Sequence, residues 1–187
     1  MRDEAPQVRI RRAGADDAAV LSELAARLFR QTYEGDVPAA DLDAFLAASF
    51  SPDSQRNELD DPTTRTLLVE LGHQAIGYAQ VRRRSLPVET SDADAEVELA
   101  RLYIDRPWHG RGVAAAVLAE AGRLALELGS GSVWLGVWER NGRAVAFYER
   151  RGFRLVGVQE FRLGSERHRD RVMVADIASL VDAPDER

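Results

Sequence analysis

The run Leu102-Tyr103-Ile104-Asp105-Arg106-Pro107-Trp108-His109-Gly110-Arg111-Gly112-Val113-Ala114 passes from a β-like stretch, through a turn, into a helix-forming stretch. Glycines at 110 and 112 let the main chain approach a ligand closely. The free N–H groups and positive dipole end of the following helix can hold an anion, and a pyrophosphate suits such a cradle. A Gly-x-Gly ahead of a helix also occurs as a plain turn, so taken alone the pair leaves both readings open. The run lacks the Lys-Ser/Thr ending of a P-loop and the third glycine of a dinucleotide fingerprint. Further on, Asn141 precedes Ala144-Val145-Ala146-Phe147-Tyr148-Glu149, which closes on Gly152-Phe153. Asn is a residue type that caps a helix N-terminus. Tyr148 is either a core aromatic, like Phe147 beside it, or a proton donor.

Together the two blocks resemble the GNAT acetyltransferases. His109-Gly110-Arg111-Gly112-Val113-Ala114 is similar to the family's Gln/Arg-x-x-Gly-x-Gly/Ala signature, with His109 where Gln or Arg is usual. Asn141 through Phe153 is similar to its Asn-x-x-Ala-x-x-Phe-Tyr-x-x-x-Gly-Phe block, in the family's order and spacing. The resemblance implies an α/β fold with a mixed central sheet of about six to seven strands flanked by helices. It also implies acetyl-CoA as cosubstrate, with no metal. Leu102 and Ile104 would then offer main-chain hydrogen bonds to the pantetheine arm. Arg111, Gly112, Val113 and Ala114 would hold the pyrophosphate, with Tyr103, His109, Gly110 and Asn141 in the same site. Acyl transfer to an amine needs a deprotonated amine, a polarised thioester carbonyl and a proton for the departing thiolate. The Ile104 amide would polarise the carbonyl and Tyr148 would donate to the thiolate. Glu98 would accept the ammonium proton, directly or through water. Glu96 shares its face in a strand, and a solvated carboxylate is the other reading of each. Some relatives place the base five residues before the Asn, a position that is Gly136 here.

These groups need a scaffold. Val8 to Arg12 reads as a strand, and Ala15-Asp16-Asp17 opens a helix with Val20, Leu21, Leu24 and Leu28 at helical spacing. After Gly35-Asp36-Val37-Pro38, a second helix carries Leu42, Phe45, Leu46 and Phe50, and Asp53 to Leu59 reads as a short helical piece, together making a helical flap. Thr66 to Leu71 and Ala75 to Val81 form a hairpin around Gly72-His73-Gln74. Val97 to Ile104 is a strand, Gly112 to Leu128 a helix stopped by Gly129, Val133 to Trp138 a strand, and Asn141 to Arg151 a helix. Arg154 to Leu163 and Arg167 to Asp176 are the last strands. With no repeat and no long linker, residues 1–187 read as a single domain.

The chain has 187 residues, 45% hydrophobic and 30% charged, enough to bury a core. There is no Cys, which excludes disulfides, thiolate-bound zinc and a cysteine nucleophile and points to the cytoplasm. All 25 basic residues are Arg, so a lysine Schiff base is excluded as well. No apolar run approaches the ~20 residues of a membrane span, and a net charge of -6 argues against nucleic acid as a partner. The wording Trp134-Leu135-Gly136-Val137-Trp138-Glu139, with Phe161-x-Leu163-Gly164-x-Glu166 and Asp170-x-Val172-Met173, resembles the PaiA-type branch of the family. Arg30-x-x-Tyr33 and Gly77-Tyr78 extend that likeness. This branch implies a small-molecule primary amine, such as spermidine or spermine, as acceptor. A peptide N-terminus or an antibiotic is the rival acceptor, and a non-catalytic CoA-binding regulatory module the rival class. Acids at Glu34, Asp36, Asp41 and Asp43, and from Glu89 through Asp92, Asp94 and Glu96 to Glu98, form either solvated loops or a cation-binding lip. Trp134 and Trp138 share a strand face as wall or as core, and a homodimer stays open.

Overall fold

The structure, a computed structural model, describes residues 7–89 and 95–181. Seven strands form one sheet in the order β1-β2-β3-β4-β5-β7-β6. They are β1 (Val8–Arg12), β2 (Thr64–Leu71), β3 (Gln74–Arg83), β4 (Val97–Ile104), β5 (Ser132–Trp138), β6 (Arg154–Leu163) and β7 (Glu166–Asp176). The helices are α1 (Ala18–Tyr33), α2 (Ala39–Ser49), α3 (Pro52–Asp60), α4 (Val113–Glu127), α5 (Gly142–Arg150) and the short α6 (Ile177–Val181). All neighbouring strands are antiparallel except β4 and β5.

Alternation along the strands divides the core in two. On one face Leu67, Val69, Leu135 and Met173 pack against Val117, Leu118 and Leu124 of α4, Val145 of α5 and Leu180 of α6. On the other, Leu68, Tyr78 and Leu163 meet Leu21, Leu24 and Leu28 of α1 and Leu42 and Leu46 of α2. The sheet grips itself most closely at Gly77. A Cβ there would stand 2.5 Å from Ile104 Cδ1 and 2.7 Å from the Tyr103 carbonyl oxygen, so only glycine lets β3 approach β4 this way.

The centre of the sheet is open. β4 and β5 are in register only at Glu98↔Trp134 and then part. A bulge sets this up: Gln80 faces Arg101 and Val81 faces Leu99, leaving Ala100 as an extra residue in β4. The extra residue bends the strand and resets its alternation, so Leu99 before it and Leu102 and Ile104 after it reach the same core. Beyond the bulge the Asp105 N–H donates to the Ile76 carbonyl at 2.8 Å. Ladder alternation therefore turns the main-chain groups of Leu102 and Ile104 away from β3 and into the gap beside β5. Two strands that part this way leave polar backbone seeking a partner.

Candidate functional site

A cleft of about 790 Å³ follows that gap from the start of α4 to the flank of α5. Leu102, Tyr103, Ile104, His109, Gly110, Gly112, Ala114, Asn141 and Tyr148 all line it, so most of the residues singled out in the sequence come together here. A smaller cavity of about 80 Å³ lies between the parted strands, bordered by Tyr33, Leu102, Gly136, Trp138 and Tyr148.

The turn into α4 has the cradle's geometry. Gly110 and Gly112 hold φ of +72° and +78°, and a Cβ on either would meet nothing within 4 Å. Gly112 caps α4, whose first N–H groups have no carbonyl one turn earlier to take them. An open space above unpaired donors at a helix start fits a phosphate. The Val113 side chain is buried in the core and the Arg111 guanidinium sits 5.1 Å over the Trp108 ring, so these two can serve the cradle through their main chain. His109 accepts from Arg143 through Nδ1 and donates from Nε2 to the Ile104 carbonyl at 2.6 Å, bracing β4, the turn and α5 together. Burial, with the Arg143 charge, holds its imidazole below the usual histidine range, in the neutral form this bracing needs. Asp105 anchors the same turn to α1 through Arg27 and Gln31; burial opposes its charge, but these partners outweigh it and keep the carboxyl below the usual range.

Arg140, Arg143, Arg150 and Arg151 also line the cleft and give it a cationic rim suited to phosphates. Sequence reading passed over them, although all four lie within or beside the Asn141 block and follow the charge it would have to meet.

On α5, Asn141 caps the helix, its Oδ1 accepting from the Ala144 N–H at 3.2 Å. Tyr148 packs between Phe147 and Phe153, with ring centroids 5.2 and 5.3 Å away, and borders both cavities. Burial pushes its hydroxyl well above the usual tyrosine range. Across the gap, on the opposite face, Tyr33 and Tyr103 bring their hydroxyls close together; burial raises both, that of Tyr103 to about 12. Trp138 lies 5.6 Å from Tyr33 and edge-on to His168 at 5.4 Å. It walls the cavity, whereas Trp134 is fully buried and donates from Nε1 to the Arg84 carbonyl at 2.7 Å.

Glu98 is not brought to this site. It lies at the closed end of the splay, six residues or about 20 Å along β4 from Ile104, and lines neither cavity. Its carboxylate is 7% exposed and takes Arg82 Nε at 2.6 Å and Arg84 Nη1 at 3.4 Å. Glu96 precedes β4 and is exposed. Of the acids expected to form a lip, Asp41 accepts from the Ser165 N–H at 3.0 Å and its hydroxyl at 2.7 Å, and Asp43 pairs with Arg30. Asp36 lines the cleft, Glu34 and Glu89 are exposed, and Asp92 and Asp94 lie outside the described residues.

A family model described as acetyltransferase (GNAT) family matches residues 24–153. An uncharacterized N-acetyltransferase of Mycobacterium tuberculosis is 34% identical over 161 residues, covering 86% of this chain and 98% of that protein. The PaiA N-acetyltransferase of Thermoplasma acidophilum, solved in complex with coenzyme A, superposes with a TM-score of 0.71 at 19% identity, over 91% of this chain and 99% of the other. A mutant of the spermidine N-acetyltransferase SpeG of Vibrio cholerae superposes with a TM-score of 0.63 at 17% identity, over 94% and 97%. At such identities the two structures share the fold with this chain. Among the described residues no helix is long and apolar enough to cross a membrane.

Proposed function

The chain belongs to the GNAT acetyltransferase family and is an acetyl-CoA-dependent N-acetyltransferase, and from that premise we propose that its acceptor is a small primary amine, with a polyamine such as spermidine as the fitting class. The observation that carries this reading is the cavity between the parted strands. It joins the Tyr148 side of the sheet to a wall of Tyr33, Tyr103 and Trp138 on the opposite face, and the Asp170 carboxylate lies near enough to Tyr33 and Tyr103 for its charge to act on both hydroxyls. Aromatic faces beside carboxylates attract ammonium groups. The likeness in fold to the Vibrio cholerae spermidine N-acetyltransferase and the PaiA-like wording of the sequence support the same class.

In this reading the pyrophosphate rests on the main chain from Gly110 to Ala114, under the arginine rim, and the pantetheine arm pairs with Leu102 and Ile104 in the gap. The Ile104 N–H polarises the thioester carbonyl. Tyr148 gives its proton to the departing thiolate, which its raised pKa allows because the hydroxyl stays protonated at neutral pH.

Steady-state kinetics on spermidine, spermine, a monoamine and a peptide N-terminus, each at low and high salt, tests the acceptor class. Polyamines should give the highest kcat/KM, and that advantage should shrink as salt screens the exposed charges at the mouth. Equal efficiency on the monoamine, or preference for the peptide, removes the polyamine assignment and leaves the acetyltransferase standing.

We assign Glu98 a structural part. Glu98→Gln should leave turnover and its pH profile unchanged while lowering stability by about 1–2 kcal/mol, since a neutral amide weakens the charge-assisted bonds to two partly exposed arginines. Denaturant melts beside a thiol-release assay read both; a large loss of turnover in a stable variant would return Glu98 to the chemistry.

A further inference from the structure

A carboxylate stands beside the acceptor half of the site. Asp170 lies on β7 directly opposite Trp138 of β5, two residues from the Gly136↔Val172 pair. Alternation puts Asp170, Gly136 and Trp138 on one sheet face, the face of Tyr33 and opposite to that of Tyr148. Gly136 is exposed while Leu135 and Val137 beside it are buried, and it borders the cavity between β4 and β5. A Cβ on Gly136 would stand 3.4 Å from Asp170 Oδ2. The missing side chain at 136 leaves room for the Gln159 amide, whose Nε2 would stand 2.4 Å from such a Cβ, and the Asp170 carboxylate from the neighbouring strand lies beside it.

We propose that Asp170 is the general base of the reaction, taking the proton of the acceptor's ammonium at the mouth of the splay; this rests on the acetyltransferase reading above. The step balances with the groups present. The carboxylate takes one proton from the ammonium, and the freed nitrogen lone pair forms a C–N bond to the thioester carbonyl. The C–S bond breaks, and the thiolate takes the Tyr148 proton. The nitrogen's second proton restores the Tyr148 hydroxyl through water, and Asp170 releases its own to solvent.

The surroundings suit a base. Among the described residues no arginine pairs with Asp170, although Arg169 and Arg171 flank it in sequence; alternation sends both to the other face, where Arg171 reaches Glu149 at 3.9 Å. Tyr33 from α1 and Tyr103 from β4 lie close enough for its charge to hold their protons on. Gln159 of β6 brings a neutral amide beside Gly136, His168 precedes Asp170 by one alternation on β7 with Nε2 buried and unpartnered, and Glu139 follows β5. Burial first, and then the Glu139 charge, push the Asp170 carboxyl up to about 6. A base of that pKa is ionised at neutral pH yet avid enough to take a proton.

The test is a set of pH–rate profiles for wild type, Asp170→Asn and Glu139→Gln with the best amine of the acceptor panel, together with coenzyme A affinity by calorimetry. Wild-type kcat/KM should fall as pH drops through about 6. Asp170→Asn should bind coenzyme A normally and turn over about 10²-fold more slowly at pH 7. Its acidic limb should give way to a rate that climbs with pH as the amine's own deprotonation supplies the nucleophile. Glu139→Gln removes a like charge, so its limb should move to lower pH, which a merely structural Asp170 would not produce. A folded Asp170→Asn with the wild-type rate and limb overturns the assignment, as does an unmoved limb in Glu139→Gln if Asp170→Asn does not fold. Wild type that acetylates no amine overturns the proposed function and this inference together.

Discussion

Tyr148→Phe is expected to fold, to bind acetyl-CoA as tightly as wild type, and to turn over about 10²- to 10⁴-fold more slowly. The ring packs against Phe147 and Phe153 whether or not it carries a hydroxyl, and only 8% of the residue is exposed, so the substitution leaves the core intact. What it removes is the hydroxyl that α5 presents to the gap, the proton donor of the mechanism we propose. The raised pKa fixes the sign of the pH behaviour: burial keeps the hydroxyl protonated as pH rises, so the donor is not lost in the neutral range and the acidic limb of the wild-type profile belongs to another group. The variant should retain that limb at a lower plateau. Single-turnover measurements with saturating acetyl-CoA isolate the chemical step from product release. A wild-type rate in that regime would leave Tyr148 as a packing residue and move the acid elsewhere.

The parts of the site that rest on local chemistry were legible in the sequence. Val97–Ile104 has the same bounds as strand β4 because apolar residues recur through it on both sides of the bulge, and Asn141 caps α5 through the side chain its type suggested. The two glycines ahead of α4 take the left-handed φ that a turn of this kind requires. The surroundings of Glu98 were not legible, because they are set by arginines on and just beyond another strand. β3 runs to Arg83, past the expected Val81, and this extension sets Arg82 directly opposite Glu98, while Arg82-Arg83-Arg84 reads in isolation as a solvated charge run. The bulge at Ala100 likewise leaves no mark in composition, yet it opens the splay. Asp170 was hidden for a related reason. Within Arg169-Asp170-Arg171 it looks like one member of an exposed ionic stretch, and only the β5–β7 register shows that it stands opposite Trp138, which borders the cavity. Helix α6 was missed because five residues are too few for a periodic signal; it forms against α4, where Gly122 lets Ile177, Leu180 and Val181 approach.

Gly112→Val should lose coenzyme A affinity by about 10²-fold or more while remaining folded, since withdrawing one or two charge-assisted hydrogen bonds of about 1.5–3 kcal/mol each from the phosphates gives a change of that order. Two effects act at this position. The φ of +78° is one that L side chains rarely adopt, so any substitution strains the turn by about 1–2 kcal/mol. A Cβ there meets nothing within 4 Å, so the strain is not joined by a clash with the protein, and the side chain instead occupies the space above the first N–H groups of α4. Gly112→Ala obstructs less and, lacking a β-branch, is less strained at this φ, so it should lose less affinity than the valine variant. Calorimetry with coenzyme A and with a pantetheine fragment lacking the pyrophosphate locates the loss. The loss should be confined to the phosphate-bearing ligand, because in the mechanism we propose the fragment pairs with Leu102 and Ile104 in the gap, away from Gly112. A folded Gly112→Val with unchanged coenzyme A affinity would place the pyrophosphate elsewhere along the arginine rim of Arg140, Arg143, Arg150 and Arg151.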